Sequence, residues 1–367
     1  GEMPFRNVYL TGIVRDKLRR KMSKSLGNSP DPLDLIEQYG ADGVRLAMLL
    51  CSAAGNDLLF DDALCEQGRN FGNKIWNAYR LVNGWQVDDS LAQSDSNRLA
   101  VSWFDAMLNR TLGQIEEDFT EYRISEALMK LYRLFWDEFS GWYLEMVKPG
   151  YRQPTDRATM DATKAFFDRL LRTLHPFMPF ITEEIWQSMP GTDSESIMIA
   201  KWCEYDEKLH FGEAAEEFSR VVNTIKAIRV QRNELNVPPS KKVTMTVETQ
   251  FVQLFTDCRR FFEKLAGAGE FTVTEKVDST EGMMTVVTDS ARVFMPMGEL
   301  VDKDKELARL DKEKKAAEKD IEFLSKKLNN PGFLAKAPAQ QIENERTKLA
   351  KAEEKLAKIT ASIEGLK

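Results

Sequence analysis

The chain has 367 residues, of which 43% are hydrophobic and 10% aromatic, so it can build roughly two to three packed domains. Its 51 Lys and Arg stand against 58 Asp and Glu, giving a net charge of −7 that argues against a nucleic-acid partner. The four cysteines include no Cys-x-x-Cys pair and there are only two histidines, which excludes a disulfide framework, a cysteine zinc site and a multi-histidine metal centre. No stretch approaches the roughly 18 apolar residues of a membrane span, so we expect a cytoplasmic protein that contacts no membrane.

The charge is unevenly distributed along the chain. Residues 1–30 hold seven basic residues against two acidic ones, residues 220–242 hold six against one, and residues 301–367 hold sixteen against thirteen. A phosphate-rich partner responds to the local potential within a Debye length of roughly 8–10 Å. These three basic segments therefore reopen the possibility of a nucleic-acid partner, although basic clusters are also ordinary features of solvated surfaces.

In chain order, residues 1–65 predict a short strand over 7–12, a basic loop over 15–25 and two helices. The first helix has Asp31 as its N-cap, Pro32 at its first position and Gly40 after its last residue. The second helix covers about residues 42–52. The chain begins at Gly1 without a signal-like segment, which we interpret as a fragment boundary.

Residues 66–240 predict a bundle of amphipathic helices. The clearest is 124–146, in which apolar residues recur at alternating spacings of three and four. Five of its tryptophans are expected to lie in its core: Trp76, Trp103, Trp136, Trp142 and Trp186. Further helices are predicted over 67–84, 97–118, 158–174, 179–189 and 213–234.

The last two segments differ from the bundle. Residues 241–299 alternate strand patterns with one helix near 250–266 and predict a small α/β unit; the strands cover 242–248, 271–277, 283–288 and 291–297. Residues 300–367 show a heptad seam that breaks at 329–338 and then resumes, which predicts an antiparallel coiled-coil hairpin with arms of roughly 40 Å. The fold class is therefore mainly α.

The sharpest motif for chemistry is Lys21-Met22-Ser23-Lys24-Ser25, followed by Leu26, Gly27 and Asn28. Two lysines on a loop with small hydroxyl residues can fold around a polyphosphate, because each ammonium is a compact cation with three donors. Small residues also let backbone N–H groups approach anionic oxygens. The same residue types also occur by chance on many protein surfaces, so the bare chemistry does not by itself identify a phosphate site.

Residues 21–25 are identical to the KMSKS signature of the class I aminoacyl-tRNA synthetases. Within that class the chain resembles the C-terminal part of the valyl-tRNA synthetase family. The stretches that carry the resemblance around the motif are Pro4-Phe5, Val8-Tyr9, Gly12, Val14–Asp16, Gly27-Asn28, Asp31-Pro32, Tyr39–Asp42 and Arg45. Those further along are Asn56-Asp57, Phe60, Arg69–Ala78, Trp142–Glu145, His175–Trp186, Val237–Pro239, Phe333–Pro338 and Glu345-Arg346.

The resemblance implies an assignment for each segment. Residues 1–65 would be the end of a Rossmann-type catalytic domain with the KMSKS loop, and 66–240 a helical anticodon-binding domain. Residues 241–299 would be a small α/β linker unit and 300–367 a coiled-coil arm that binds tRNA.

The resemblance also implies roles for individual residues. Lys24 and Lys21 would be catalytic, stabilising charge on the leaving pyrophosphate. Met22, Ser23 and Ser25 would complete the ATP-binding loop. Gly27 and Asn28 would shape that loop. Arg229, Arg232 and Lys336 are candidates for tRNA binding.

The implied reaction joins L-valine to tRNA(Val) with ATP and releases AMP and diphosphate. Mg²⁺ would arrive with ATP, and no protein-bound metal or zinc is predicted. The family's HIGH signature is absent from this sequence, and His175-Pro176 does not supply it. We therefore expect this polypeptide to be inactive alone, with the valine pocket largely in a part of the enzyme that it lacks. We also expect it to be a monomer. Arg19-Arg20 also stands where the family often has a glycine.

Two alternatives stay open at this point. One is a fragment resembling isoleucyl-tRNA synthetase, although that family often ends in a cysteine zinc site that these cysteines do not form. The other is a non-catalytic RNA-binding coiled-coil protein.

Overall fold

The computed structural model describes residues 4–10, 12–51, 56–209, 212–300, 303–329 and 339–366. The chain divides into two compact units. The first comprises residues 1–223 with 253–265, and the second comprises residues 224–252 with 266–367. Within the described ranges, every helix is too short or too polar to cross a bilayer.

The first unit begins with a small parallel sheet. Strand β1 (Val14–Arg15) pairs in parallel with β2 (Leu58–Leu59), and between them lie α1 (Pro32–Tyr39) and α2 (Ala41–Leu50). As the sequence predicts, the Asp31 carboxylate accepts the Leu33 N–H at 2.9 Å. The turn after α1 is left-handed, with a φ of +79° at Gly40.

The predicted strand over residues 7–12 is wrong, since residues 7–10 and 12 have no strand structure. Val8 and Leu10 are 71% and 74% exposed. A strand requires a hydrogen-bonding neighbour, and β2 offers two residues that register with Val14 and Arg15. The β-branched and aromatic pattern of 7–12 therefore finds no strand partner here.

The remainder of the first unit is a helical bundle, as predicted. Three of its helices begin at side-chain N-caps, those of Asp61, Ser94 and Asp156. The helices are α3 (Asp62–Asn83), α4 (Asp95–Thr120), α5 (Ile124–Arg133), α6 (Leu144–Val147), α7 (Arg157–Leu174) and α8 (Pro179–Gln187).

The predicted helix over 124–146 forms, but residues Leu134–Tyr143 between α5 and α6 are π-helical. The spaced apolar residues from Leu128 to Met146 are buried as predicted. Among the predicted core tryptophans, three are buried and two are half-buried. The buried ones are Trp103, Trp142 and Trp186, and the half-buried ones are Trp76 and Trp136.

Helix α9 (Glu213–Glu234) matches its predicted bounds, and its residues from 224 onward belong to the second unit. Four strands follow in a mixed sheet of order β4-β3-β6-β5, in which β3 is parallel to β4 and antiparallel to β6. Their bounds are β3 (Val243–Glu248), β4 (Ala268–Thr274), β5 (Met283–Val287) and β6 (Arg292–Pro296). The helical connection after β3 comprises α10 (Val252–Asp257), α11 (Arg259–Phe261) and a π turn (Phe262–Ala266), and its residues 253–265 belong to the first unit.

The second unit ends in α12 (Met297–Leu300) and two long helices, α13 (Lys303–Leu328) and α14 (Ala339–Leu366), which pack against each other. The Lys327 ammonium lies 3.2 Å from the Glu345 carboxylate across this pair. Glu345 is only 6% exposed. The two helices flank the break predicted for the hairpin, and residues 330–338, including Lys336, lie outside the described residues.

Candidate functional site

The KMSKS residues begin directly after a tight turn at the end of β1. Asp16 N–H donates to Arg20 O at 2.9 Å, and Arg19 N–H donates to Asp16 O at 2.8 Å. The backbone then runs back along β1, where Met22 N–H donates to Val14 O at 3.0 Å. Arg19 holds a φ of +63°, a left-handed conformation that favours glycine. Arg19 therefore occupies a backbone position that a glycine would adopt with less strain.

The Asp16 carboxylate organises this turn. It accepts the backbone N–H groups of Leu18 at 3.0 Å and Arg20 at 2.9 Å, the Arg20 Nε at 2.8 Å and the Asn28 Nδ2 at 2.9 Å. The hydrogen bond from Asn28, followed by those from Arg20, holds the pKa of Asp16 well below its usual range. The turn is therefore fastened around a permanently ionised group.

Asn28 closes the loop from its other end. Its Oδ1 accepts the Ser23 N–H at 2.9 Å, and its Nδ2 donates to Asp16 and, at 3.3 Å, to Lys21 O. One half-buried amide thus uses its acceptor and its donors on three points of the loop. These contacts are the physical basis for the loop-shaping role that the sequence predicts for Asn28.

Two residues of the motif, Met22 and Ser23, are held by contacts within the fold, whereas Lys21, Lys24 and Ser25 are exposed. Met22 packs against the small apolar core formed by Ala47, Leu58, Phe60 and Cys65. Ser23 caps the short 3₁₀ turn Lys24–Leu26 by accepting the Leu26 N–H at 3.3 Å, and its Oγ lies 3.2 Å from that of Ser25.

Gly27 ends the 3₁₀ turn with a φ of +63°, and its N–H donates to Lys24 O at 3.1 Å. Lys21, Lys24 and Ser25 are exposed. Within the part of the chain that the structure describes, neither lysine ammonium has a hydrogen bond or an ion pair.

Several other cations of the first basic segment are already neutralised. Arg15 forms an ion pair with Asp57, whose carboxylate also accepts the Ile13 N–H at 3.0 Å. These two contacts lower the pKa of Asp57. Lys17 Nζ lies 2.9 Å from the Asp61 carboxylate, which raises the pKa of Lys17. Pairing of these cations leaves Lys21 and Lys24 as the displayed charges of the motif.

The KMSKS segment is fixed to the helical bundle by two side chains of α2. The Asp42 carboxylate accepts the N–H groups of Phe180 at 3.3 Å and Ile181 at 2.7 Å, in the first turn of α8. Arg45 donates to the carbonyls of Phe177 at 3.3 Å and Pro176 at 3.0 Å. No sequence pattern identified these contacts, because the partners lie more than 130 residues apart.

The α2–α3 contact is unusually close. A Cβ built on Gly68 would lie 2.3 Å from Gly43 O and 2.8 Å from Gly43 Cα. Glycine is required at position 68 where the two helices cross, since a side chain there has no space. This contact sets the distance between the KMSKS segment and the bundle.

His175 takes part in the bundle and not in the loop. Its Nδ1 lies 2.8 Å from the Thr182 Oγ1. Burial lowers the pKa of His175, so its imidazole is neutral near pH 7. This geometry agrees with the structural role expected for it.

The second basic segment contains two very different arginines. Arg229 is exposed on α9, whereas Arg232 is only 5% exposed. The Arg232 Nη2 donates to the carbonyls of Lys241 at 2.6 Å and Pro238 at 3.2 Å, and burial lowers its pKa. Arg232 therefore braces the turn before β3, a task that the charge pattern alone could not reveal.

Among the described residues, no group of three His, Cys, Asp or Glu side chains could hold a metal ion. The arrangement that the loop offers is instead two displayed ammonium groups on a preformed turn. Such a pair can bind a polyphosphate directly or counter negative charge that develops on it.

Three family profiles match the chain. The profile described as tRNA synthetases class I (I, L, M and V) matches residues 1–61. The anticodon-binding domain of tRNA ligase matches residues 102–248, and the valyl tRNA synthetase tRNA binding arm matches residues 302–367.

Curated relatives match the chain over its full length. The valine–tRNA ligases of Parabacteroides distasonis, Phocaeicola vulgatus and Bacteroides thetaiotaomicron are 48%, 49% and 46% identical. Each match covers 100% of this chain and 41% of the relative. The chain thus spans about two fifths of the length of these proteins.

Proposed function

Because the chain belongs to the valine–tRNA ligase family, we propose that it supplies the pyrophosphate-binding loop and the tRNA-binding surfaces of an enzyme that joins valine to tRNA(Val) with ATP. The valine pocket would lie largely in the three fifths of the relatives' length that this chain does not match. The chain alone is then inactive. Identity to valine–tRNA ligases over the whole chain, with a matching valyl arm, favours this proposal over an isoleucyl enzyme or a non-catalytic RNA-binding protein.

The observation that carries the proposal is the preformed loop, which displays two ammonium groups that pair with none of the described residues. Lys24 would oppose charge that develops on the pyrophosphate as valine attacks the α-phosphorus of ATP, and Lys21 would add a second cation. Since the loop is held by Asp16 and Asn28, little reorganisation is needed when ATP binds. Mg²⁺ would arrive bound to ATP, where it neutralises phosphate oxygens.

tRNA would meet the chain through its phosphates. The arm of α13 and α14 and the exposed Arg229 are the surfaces we assign to this contact, together with Lys336. For Arg232, the buried position favours an indirect contribution, through the shape of the turn that it braces.

The catalytic part of the proposal is tested by valine-dependent ATP–pyrophosphate exchange in the complete ligase that contains this chain. Lys24→Ala should lower the exchange rate constant by roughly 10²-fold, because a charge contact made in the transition state is lost. Lys17→Ala is the matched control, since Lys17 is another loop lysine but is paired with Asp61. An unchanged rate constant for Lys24→Ala would remove Lys24 from the mechanism.

The tRNA-binding part is tested with the chain alone. We expect it to bind a tRNA(Val) transcript with an affinity that falls steeply as salt rises, because each phosphate contact releases counterions. The same chain should show no valine-dependent exchange above background. Absence of tRNA binding even near 50 mM salt would contradict the proposed surfaces.

A further inference from the structure

Helix α2 meets the bundle at the corner between α7 and α8. Helix α8 lacks a capping side chain of its own, because Met178 stands at its N-cap. The Asp42 carboxylate of α2 accepts two backbone N–H groups there instead. Arg45, almost one turn further along α2, donates to two carbonyls that follow the end of α7. Each charge thus meets the helix end that it stabilises, and we call Asp42 and Arg45 together the corner clamp.

Apolar packing fills little of the space beside the corner clamp. A cleft of about 480 Å³ lies between α2, α3 and α8. Phe180 in the first turn of α8 lines this cleft, yet it is 63% exposed. The glycines that line it are Gly40, Gly43, Gly68 and Gly72. Because few side chains interdigitate here, apolar packing alone does not fix the angle between α2 and α8.

The other contacts of α2 leave its orientation at the corner to the clamp. At the far end of α2, the Ser125 hydroxyl of α5 donates to Leu49 O at 2.8 Å. The crossing with α3 brings two backbones together at Gly43 and Gly68, without a side chain at the contact that would resist rotation. The glycine crossing therefore sets a distance, and the corner clamp sets an orientation.

Stability alone does not account for the clamp. Burial raises the pKa of Asp42 above its ordinary value, although the N–H groups of Ile181 and Phe180 and the charge of Arg45 oppose that rise. A carboxyl group whose pKa is raised on folding destabilises the folded chain once it ionises. The ionised Asp42 therefore contributes to the placement of the helices more than to their stability.

We propose that Asp42 and Arg45 are positioning residues for the transfer of valine from its adenylate to tRNA. Helices α1 and α2 directly follow the KMSKS loop, whereas α7 and α8 lie within residues 102–248, which match the anticodon-binding domain. The corner clamp connects the two. Adenylate formation uses small substrates at the catalytic side, whereas transfer requires one tRNA to reach from the bundle to that side. The proposal rests on the proposed function, since it assumes both reactions.

The test compares two reactions of the complete ligase that contains this chain. Valine-dependent ATP–pyrophosphate exchange reports adenylate formation, and single-turnover transfer from the preformed adenylate reports the step that needs tRNA. Asp42→Ala should lower the transfer rate constant roughly tenfold or more and change the exchange rate constant less than about twofold, since a small misplacement of a reactant is costly. Asp42→Asn, which keeps the size and one acceptor, should show a smaller loss with the same selectivity.

Variants of the second residue test whether the two side chains act as one clamp. Arg45→Ala should lower transfer selectively, as Asp42→Ala does. Arg45→Lys should recover part of the rate constant, because an ammonium can donate to one of the two carbonyls but lacks the planar fork. The double variant Asp42→Ala/Arg45→Ala should lose little more than the more damaging single variant, since both changes release the same corner. Fully additive losses would contradict a joint action.

The matched control is Ser94→Ala, which removes a side-chain cap within the bundle. Ser94 Oγ accepts the Asn97 N–H at 3.2 Å at the start of α4. This variant should lower the melting temperature and leave both rate constants unchanged. Equal losses in exchange and transfer, or unchanged transfer, for Asp42→Ala and Arg45→Ala would overturn the clamp proposal alone. Absence of exchange in the wild type, or unchanged exchange for Lys24→Ala, would overturn the proposed function instead.

Discussion

The glycine contact between α2 and α3 supports a prediction with an internal control on the same helix. Gly68→Ala places a Cβ 2.3 Å from Gly43 O, well inside ordinary contact distance, so the helices must separate. Gly72→Ala, one turn further along α3, places its Cβ 3.6 Å from the flexible end of Met178. The first change overpacks a helix crossing, whereas the second fits the space available.

The magnitudes follow from two opposing effects. Replacing a helical glycine by alanine stabilises a helix by about 0.5–1 kcal/mol. Overpacking at a rigid contact costs about 1–3 kcal/mol, and this applies only to Gly68→Ala. Gly72→Ala should therefore stabilise the protein by about 0.5–1 kcal/mol, and Gly68→Ala, where the cost of overpacking opposes this gain, should destabilise it by up to about 2.5 kcal/mol. Gly43→Ala, with its Cβ 3.1 Å from Arg69 N and 3.2 Å from Cys65 O, should fall between them.

The assay is thermal unfolding of the 367-residue chain, followed by circular dichroism. For a unit of this size, 1 kcal/mol corresponds to a shift of roughly 2–4 °C in melting temperature. We expect the melting temperatures to rank Gly72→Ala above wild type and wild type above Gly68→Ala. Equal melting temperatures for the two alanine variants would refute the close helix crossing and, with it, the rigid spacing between the KMSKS segment and the bundle.

Three further predictions concern the loop, the lysine at 264 and a buried thiol. Asn28→Asp replaces the amide that donates to Asp16 with a second carboxylate, so trypsin should cleave faster at Lys21, whereas Asn77→Asp on the exposed face of α3 should leave cleavage unchanged. Burial lowers the pKa of Lys264 to about 8, below its ordinary 10.5, so the folded chain releases this proton first as pH rises. The stability of the wild type relative to Lys264→Met, measured by urea unfolding, should therefore rise between about pH 8 and 10.5, and a flat difference would show that the ammonium is not desolvated. Burial raises the pKa of the Cys258 thiol to about 12, so iodoacetamide should label it slowly at pH 8 in the native chain and rapidly after unfolding; equal rates would show that the thiol is accessible.

Local rules in the sequence predicted much of the fold. The cap at Asp31, the proline at 32 and the turn at Gly40 are determined by neighbouring residues, and each was predicted from neighbours alone. Helix α9 was predicted with its bounds because its start and its end are both marked by local composition. The strand over 7–12 was wrong because strand formation depends on a partner elsewhere in the chain.

The site shows the same division between local and distant information. The motif itself located Lys21 and Lys24, but the contacts that hold the loop required the fold. Asp16 gains its role from a backbone turn and from Asn28, twelve residues away. The charge pattern of residues 220–242 does not distinguish Arg229 from Arg232. In the structure Arg229 is exposed, whereas Arg232 is buried against backbone carbonyls. Burial, which separates them, is a property of packing that charge counting does not include.

The ion pair between Lys327 and Glu345 affects the register in which the two helices of the arm pack. Glu345 is buried at a position that the heptad pattern would assign to an apolar side chain. If α14 slid by one heptad along α13, this carboxylate would lose Lys327 and keep only Lys348 of its own helix, whose ammonium lies 3.0 Å away. A purely leucine seam would tolerate such sliding at little cost. The pair therefore favours one register of α14 against α13, which a seam of leucines alone would not select.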